Sequence, residues 1–340
     1  MKQTKKILAL LLALALVFSM AACGSSGSEG GEEVEAVTLH MGGGLTQQSP
    51  QYAVLQQFKA DVEEASGGSI NISLDLSGAL GSDREIIEGV MSGAVEMMHM
   101  ADVSINTVIT ELGYTSLPYL FPTREAAEET YLFGWMGEMY RATMEENGML
   151  VLGNLLEGDF RWITNSVNEV TSPDDLKNLK LRVIESPMWI AFFQGIGTNP
   201  VGMSVNEVAS ALQQNVIDGQ DNGPLNTYFY GFYEFQPYQT KSNHGYAANM
   251  LTINKEVFES LTPEQQQVLT DCADVATTDM YKANVDAIDG FCEEMTAAGS
   301  TIIDATPELS EFMKAAAEKV WADESIVGTY DQEAMARING

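Results

Sequence analysis

Apolar and polar positions along this chain follow two periods, one near 2 residues and one near 3.6, in a repeated order. Val37 to Met41 reads as a strand, and Gln51 to Ser66 carries the spacing of an amphipathic helix that stops at Gly67-Gly68. Ile70 to Leu76 reads as a second strand. Ser82-Asp83-Arg84-Glu85 has capping-box spacing and opens a helix to about Ser92, and Val95 to Ala101 reads as a third strand. The same β-α-β-α-β order returns between Lys180 and Gly219. There Leu181 to Ile184 reads as a strand, Ser186 and Pro187 as an N-cap and first helical position, and Gly195 and Gly197 as the helix end. A strand near Pro200 to Met203 follows, then a helix from the capping-box pattern Ser204 to Glu207 to about Gln214, then a strand from Val216 to Gly219. Such alternation builds parallel sheets. About 80 residues of helix and aromatic-rich loop separate the two units, which predicts two lobes; one larger doubly wound sheet is the alternative.

Between the units lie a Pro-bounded loop, Leu117 to Pro122, and a helical run from about Glu125 to Asn147. A strand from Met149 to Leu155 comes next, then a second strand carrying Arg161 and Trp162, then a short helix capped by Ser172 to Asp175. After Pro224 the segment LNTYFYGFYEF is dense in rings, which predicts packing at the junction of the lobes more than ligand stacking. Ala247 to Asn254 reads as a strand returning to the first lobe. Thr262 to Gln265 is a capping box opening the longest helical pattern, to about Ala298, whose length of about 50 Å would oblige it to touch both lobes. Thr301 to Asp304 and about Pro307 to Val327 read as a final strand and helix.

At 340 residues and 45% hydrophobic content the chain can build two ordinary cores. Its formal charge of −31 repels nucleic acid and anionic lipid. The basic start, the apolar run Ile7 to Phe18 and Ser19-Met20-Ala21-Ala22-Cys23 resemble a bacterial lipoprotein leader. That resemblance implies cleavage after residue 22 and lipidation of Cys23; an ordinary secretory leader cut near Ala22 is the alternative. Residues 23–35 read as an acidic, flexible tether. Cys272 and Cys292 fall on one helical pattern about 30 Å apart, too far for a disulfide, so free buried thiols are expected.

Arg182 is the anomaly of the second unit. A permanently charged group in the middle of a strand covered by helices requires an anionic partner, either a protein carboxylate or a ligand. In open α/β sheets ligands bind beyond the carboxyl ends of strands, and Arg182 stands two residues from such an end. Only six arginines are present, and Arg161, 21 residues earlier, also lies at a predicted strand end. The chain contains no phosphate loop, no G-x-S-x-G and no H-E-x-x-H pattern. His40, His99 and His244 are isolated, each expected as a core or surface residue. No metal or cofactor is expected. Asp218 to Gly223 reads as a turn that places Asn222 just past a strand end, near Arg182.

The runs DLKNLKLRVIESP, GTNPVGMSVNEVASALQQNVIDGQDNGP and YEFQPYQTKSNH, with EEASGGSINISLDLSGALGSDREIIEGVMSGAVEM and LPYLF upstream, resemble one family. It is the solute receptors of tripartite ATP-independent periplasmic (TRAP) transporters, of the DctP type. The resemblance covers Val37 to about Leu269. It implies a two-lobed α/β fold of the periplasmic-binding-protein kind that closes on an organic acid and passes it to a sodium-coupled membrane permease. It implies that Arg182 pairs with the ligand carboxylate, that Arg161 is the second arginine, and that Asn222 and Asp83 line the pocket. Glu185 stands where members vary with substrate. Ile184 replaces the usual proline, and QDNGP has one residue more than the common QENP. The implied lobes are 36–157 with about 247–287, and 158–246 with about 288–340.

A lipid-anchored receptor for a sugar acid or a C4-dicarboxylate is therefore expected, touching the membrane only through its anchor. Two rivals stand beside it: a surface hydrolase using a carboxylate pair, and a sensory binding protein for a receptor kinase.

Overall fold

The computed structural model describes residues 36–340; the expected leader, the lipidation site Cys23 and the tether lie outside the described residues. The first unit forms β1 (Val37–Gly43), α1 (Pro50–Ala65), β2 (Ile70–Asp75), α2 (Asp83–Ser92) and β3 (Met97–Ala101). Ser49 caps α1 with Pro50 behind it, and Ser82 and Glu85 close their capping box on α2. After a short α3 (Asp102–Ile105), the helical run expected from Glu125 to Asn147 is broken. It consists of α4 (Arg124–Ala127), a π turn over Glu128–Leu132, and α5 (Trp135–Glu146). The break falls at Gly134, where an added Cβ would stand 2.1 Å from the Glu129 carbonyl.

Strand β4 (Met149–Phe160) then runs directly into β5 (Trp162–Asn165), leaving Arg161 at the passage. The second unit follows as β6 (Lys180–Val183), α6 (Pro187–Gly195), β7 (Asn199–Gly202), α7 (Val205–Gln213) and β8 (Gly219–Asn222). The last strand begins three residues later than Val216, because Gly219 is where the chain fits between Thr164 and Leu181; a Cβ there would lie 2.1 Å from the Thr164 carbonyl. The box expected at Ser204 is not closed: its hydroxyl makes no capping bond.

The chain continues through α8 (Pro224–Phe229), β9 (Tyr238–Lys241), β10 (Tyr246–Asn254), α9 (Lys255–Ser260), α10 (Pro263–Ala297), β11 (Thr301–Asp304), α11 (Pro307–Trp321), α12 (Glu324–Val327) and α13 (Gln332–Asn339).

Two sheets result, with strand orders β2-β1-β3-β10-β4 and β11-β9-β5-β8-β6-β7. In each, the first strand of a β-α-β-α-β unit lies in the centre with its two successors parallel on either side. β10 joins the first sheet antiparallel to β3 and β4. This is the expected two-sheet α/β fold with a long helix.

Leu55, Phe58 and Val62 of α1 and Leu269, Ala273, Ala276 and Met280 of α10 cover one face of the first sheet. Each such large side chain contributes about 1.5–3 kcal/mol by leaving water. α10 crosses β4 at Gly153, where a Cβ would come within 2.3 Å of Thr277 Oγ1. Farther along, its Phe291 stacks on Tyr228 with ring centroids 4.4 Å apart, and Gln239 of β9 donates to Met295 Sδ. Helix α10 therefore touches elements of both sheets, and Gly290 does not interrupt it.

Trp189, Phe192 and Phe193 of α6 pack with Leu309 and Met313 of α11 over the second sheet. The last residues depart from the expected second lobe. Val327, Tyr330, Ala334 and Met335 join Leu112, Tyr114 and Tyr140 in the core on the first sheet, where α13 buries its apolar face. Cys272 and Cys292 are free, and half-buried where full burial was expected.

Candidate functional site

A cleft enclosing about 550 Å³ of space not filled by protein atoms, part of it open to solvent, is lined from both sheets. The first sheet and its loops supply Gly44, Asp83, His99, Ser104, Glu157 and Asn249, and the second supplies Arg182, Asn222, Asn226 and Tyr230, with Arg161 at the passage between them.

Arg182 stands in β6 opposite Val201 of β7 and Gln220 of β8. It is 3% exposed, yet its one hydrogen bond is from Nε to the Met203 carbonyl at 2.9 Å, and among the described residues no carboxylate oxygen lies within 4.0 Å of it. Burial pulls its pKa down to about 10, and the attraction of Asp221 and Asp83 only partly offsets this burial and the repulsion of Arg161. It is a buried cation whose guanidinium edge faces the cleft without a counterion.

Arg161 is the opposite case. Nε donates to Asp221 Oδ2 at 2.8 Å, and Nη2 donates to the Asp221 carbonyl at 2.7 Å and to Asn222 Oδ1 at 3.0 Å. Nη1 lies 3.5 Å from Glu157 Oε2. The structural bridge that the sequence left open for Arg182 is made by Arg161 instead. Burial works against both members, but their mutual attraction wins: Arg161 is held above its ordinary value and Asp221 below its own, the latter helped by His244 at 3.5 Å. Asn222 steadies this pair. Its Nδ2 donates to Gln220 Oε1 at 2.6 Å, and Gln220 in turn donates to Thr164 and Thr227, so the amide cannot turn.

Asp83, in the first turn of α2, accepts from the Ser104 hydroxyl at 2.7 Å and borders both the main cleft and an adjoining cavity that shares Ser104, Arg182 and Ile184 with it. Glu185 is exposed and borders the adjoining cavity and not the main cleft, together with Ser204, whose buried hydroxyl has no partner among the described residues.

Several lining residues escaped the sequence. Glu157 is buried with its carboxyl pushed up, chiefly by that burial, while Arg161 and a 2.9 Å bond from Asn226 pull it back. His99 has an unpartnered Nε2 at the cleft, and burial lowers its pKa to about 4, which keeps the ring neutral. Tyr230 donates to the Gly44 carbonyl at 3.1 Å, joining the two walls. Asp221 was read as part of a turn. One signal was available: Gly219-Gln220-Asp221-Asn222 is a wholly buried strand of polar residues, which only a hydrogen-bonded network can tolerate. Trp162 is core, with Lys241 Nζ 5.3 Å from its ring centre, and does not line the cleft. In the ring-dense segment, Tyr228 and Phe229 pack on α10 and only Tyr230 reaches the cleft.

Residues 41–326 match the DctP family, described as bacterial extracellular solute-binding protein, family 7. The chain belongs to the DctP family. Among curated members, the 2,3-diketo-L-gulonate-binding periplasmic protein YiaO of Escherichia coli K12 is 30% identical over 269 residues, 79% of this chain and 81% of that protein. The C4-dicarboxylate-binding protein DctB of Bacillus subtilis 168 is 31% identical over 227 residues, 67% and 64% of the two chains. The sugar acid binding protein DctPAm of Advenella mimigardefordensis, solved in complex with galactonate, matches with a TM-score of 0.84 at 27% identity, over 89% of this chain and 97% of that one. DctP-family members are extracytoplasmic solute-binding proteins, and this chain shares their fold and their function class.

Proposed function

We propose that this DctP-family protein is the receptor of a TRAP transporter, that it binds a small organic acid by pairing the ligand carboxylate with Arg182, and that it delivers the acid to a membrane permease. The observation that carries this reading is the buried Arg182 guanidinium at the cleft wall, with no carboxylate of the described residues within 4.0 Å. Such a charge is costly unless a carboxylate arrives, and a planar guanidinium holds a carboxylate through two parallel bonds. Arg161, fixed by Asp221 and Asn222, presents a second positive group beside it. Asp83 borders the ligand space, and Glu185 addresses it from the adjoining cavity.

Binding draws one lobe, 36–157 with about 247–287, against the other, 158–246 with most of the remaining chain, while α10 braces both. The leader pattern at Cys23 supports attachment to the membrane by lipid, with residues 24–35 as a leash. The bound sugar acids and dicarboxylates named for relatives support the ligand class. A receptor holds its ligand unchanged, so stoichiometric binding without product separates it from a hydrolase.

A thermal-shift screen of organic acids, followed by calorimetry on the best of them, tests the reading. Arg182→Ala is expected to weaken binding by about 3–5 kcal/mol, roughly two to three and a half decades in Kd. An unchanged Kd would refute it.

A further inference from the structure

Resting on the receptor reading above, we propose that Glu157 selects the ligand class: the site takes a singly charged carboxylate bearing hydroxyl groups and rejects a dicarboxylate dianion. Two buried guanidiniums reach the cleft. Arg161 is already shared between Asp221, at 2.8 Å, and Glu157, at 3.5 Å, so its charge is more than met within the protein. No lysine and no third arginine lines the cleft among the described residues. One uncompensated positive charge remains, that of Arg182, and it can match one ligand carboxylate.

The rest of the lining offers a second one neutral donors but no further cation among the described residues. Glu157 and Asp83 are carboxylates, His99 is neutral, and Ser104 and Asn249 carry no charge. A second carboxylate there would meet the buried Glu157 carboxyl group, and like charges brought together at a protein wall repel.

A hydroxyl group meets the reverse situation. Among the described residues Glu157 Oε1 accepts one hydrogen bond, from Asn226 at 2.9 Å, and Oε2 makes only the long contact to Arg161. Two carboxylate oxygens offer about four acceptor sites, so acceptor capacity is left over on the cleft side. Hydrogen bonds from hydroxyls to a carboxylate are charge-assisted and strong. The unpartnered His99 Nε2 adds a second neutral contact on the same wall. The ligand is thus oriented with its carboxylate on the second sheet and its hydroxylated chain toward Glu157.

Calorimetry on the purified protein with D-galactonate, D-glucuronate, succinate and succinamate, the monoamide of succinate, tests this. In the wild type a sugar monocarboxylate is expected to bind at least tenfold tighter than succinate, and succinamate about tenfold tighter than succinate. Glu157→Gln, which keeps the shape and the bond to Asn226, is expected to raise succinate affinity about tenfold and close both gaps. Succinate equal to or tighter than the sugar acid and succinamate in the wild type overturns the proposal, as does a ratio unmoved in a Glu157→Gln protein of wild-type Tm. Should that variant not fold, the wild-type ratios decide alone. Failure of all four acids to bind would remove the receptor reading as well, whereas binding without discrimination removes only the role of Glu157.

Discussion

Arg161 Nε donates to Asp221 Oδ2 at 2.8 Å with both groups buried. Arg182, equally buried on the neighbouring strand, has no such partner among the described residues. The protein spends one guanidinium on its own architecture and leaves the other unsatisfied at the cleft.

This asymmetry sets opposite outcomes for stability without ligand. Arg182→Met replaces an uncompensated buried cation by an apolar chain of similar length, so the Tm of the ligand-free protein is expected to stay level or rise. Asp221→Asn breaks a buried pair and strands Arg161, and is expected to cost about 3 kcal/mol. Urea titrations of both variants check the contrast. A loss of stability in Arg182→Met as large as that in Asp221→Asn would show that Arg182, too, is structural.

Asp102 supplies a dependence on pH. Its carboxyl is fully buried at the start of α3, accepts from the Tyr131 hydroxyl at 2.6 Å and from the Val103 N–H, and is pushed up to about 7 by burial, with Glu157 adding repulsion. An acid whose folded pKa lies above its unfolded value binds more protons when folded. Its contribution is therefore full below about pH 4 and is lost as pH rises toward 7. His99 works in the other direction, losing stability as pH falls from its ordinary value toward 4. Asp102→Asn isolates the first effect: its Tm relative to wild type is expected to climb between pH 4.5 and 7.5, a window spanning most of that rise. A flat difference across that range would mean that Asp102 does not hold its proton.

Gly134 ends the π turn with no room for a side chain, since a Cβ would lie 2.1 Å from the Glu129 carbonyl and 2.7 Å from that of Thr130. Gly134→Ala is expected to destabilise by about 2 kcal/mol or more, because both clashing atoms are backbone. Chemical denaturation measures this directly; a shift under a few tenths of a kcal/mol would show that the turn can open.

Much of the fold was legible because local rules and the final structure agree. Ser82 with Glu85 and Thr262 with Gln265 close the boxes their spacing announces, and both β-α-β-α-β units form parallel sheets with the first strand central. The misplacements are equally physical. β8 starts at Gly219 because only a glycine fits between Thr164 and Leu181, neither of them near in sequence; the run after Arg124 breaks at Gly134, where the carbonyls of Glu129 and Thr130 leave no room for a side chain, a clash that composition does not announce.

For the site, the chain by itself determined that a permanent cation stands in a covered strand at Arg182, because residue type and periodicity are local properties. It could not determine which arginine would find a partner. Asp221 lies 60 residues from Arg161, and Glu157, His99 and Asn249 come from three different strands. Only folding brings those groups within a few ångströms of one another, and at that range geometry decides which charge is answered within the protein and which is left for a ligand.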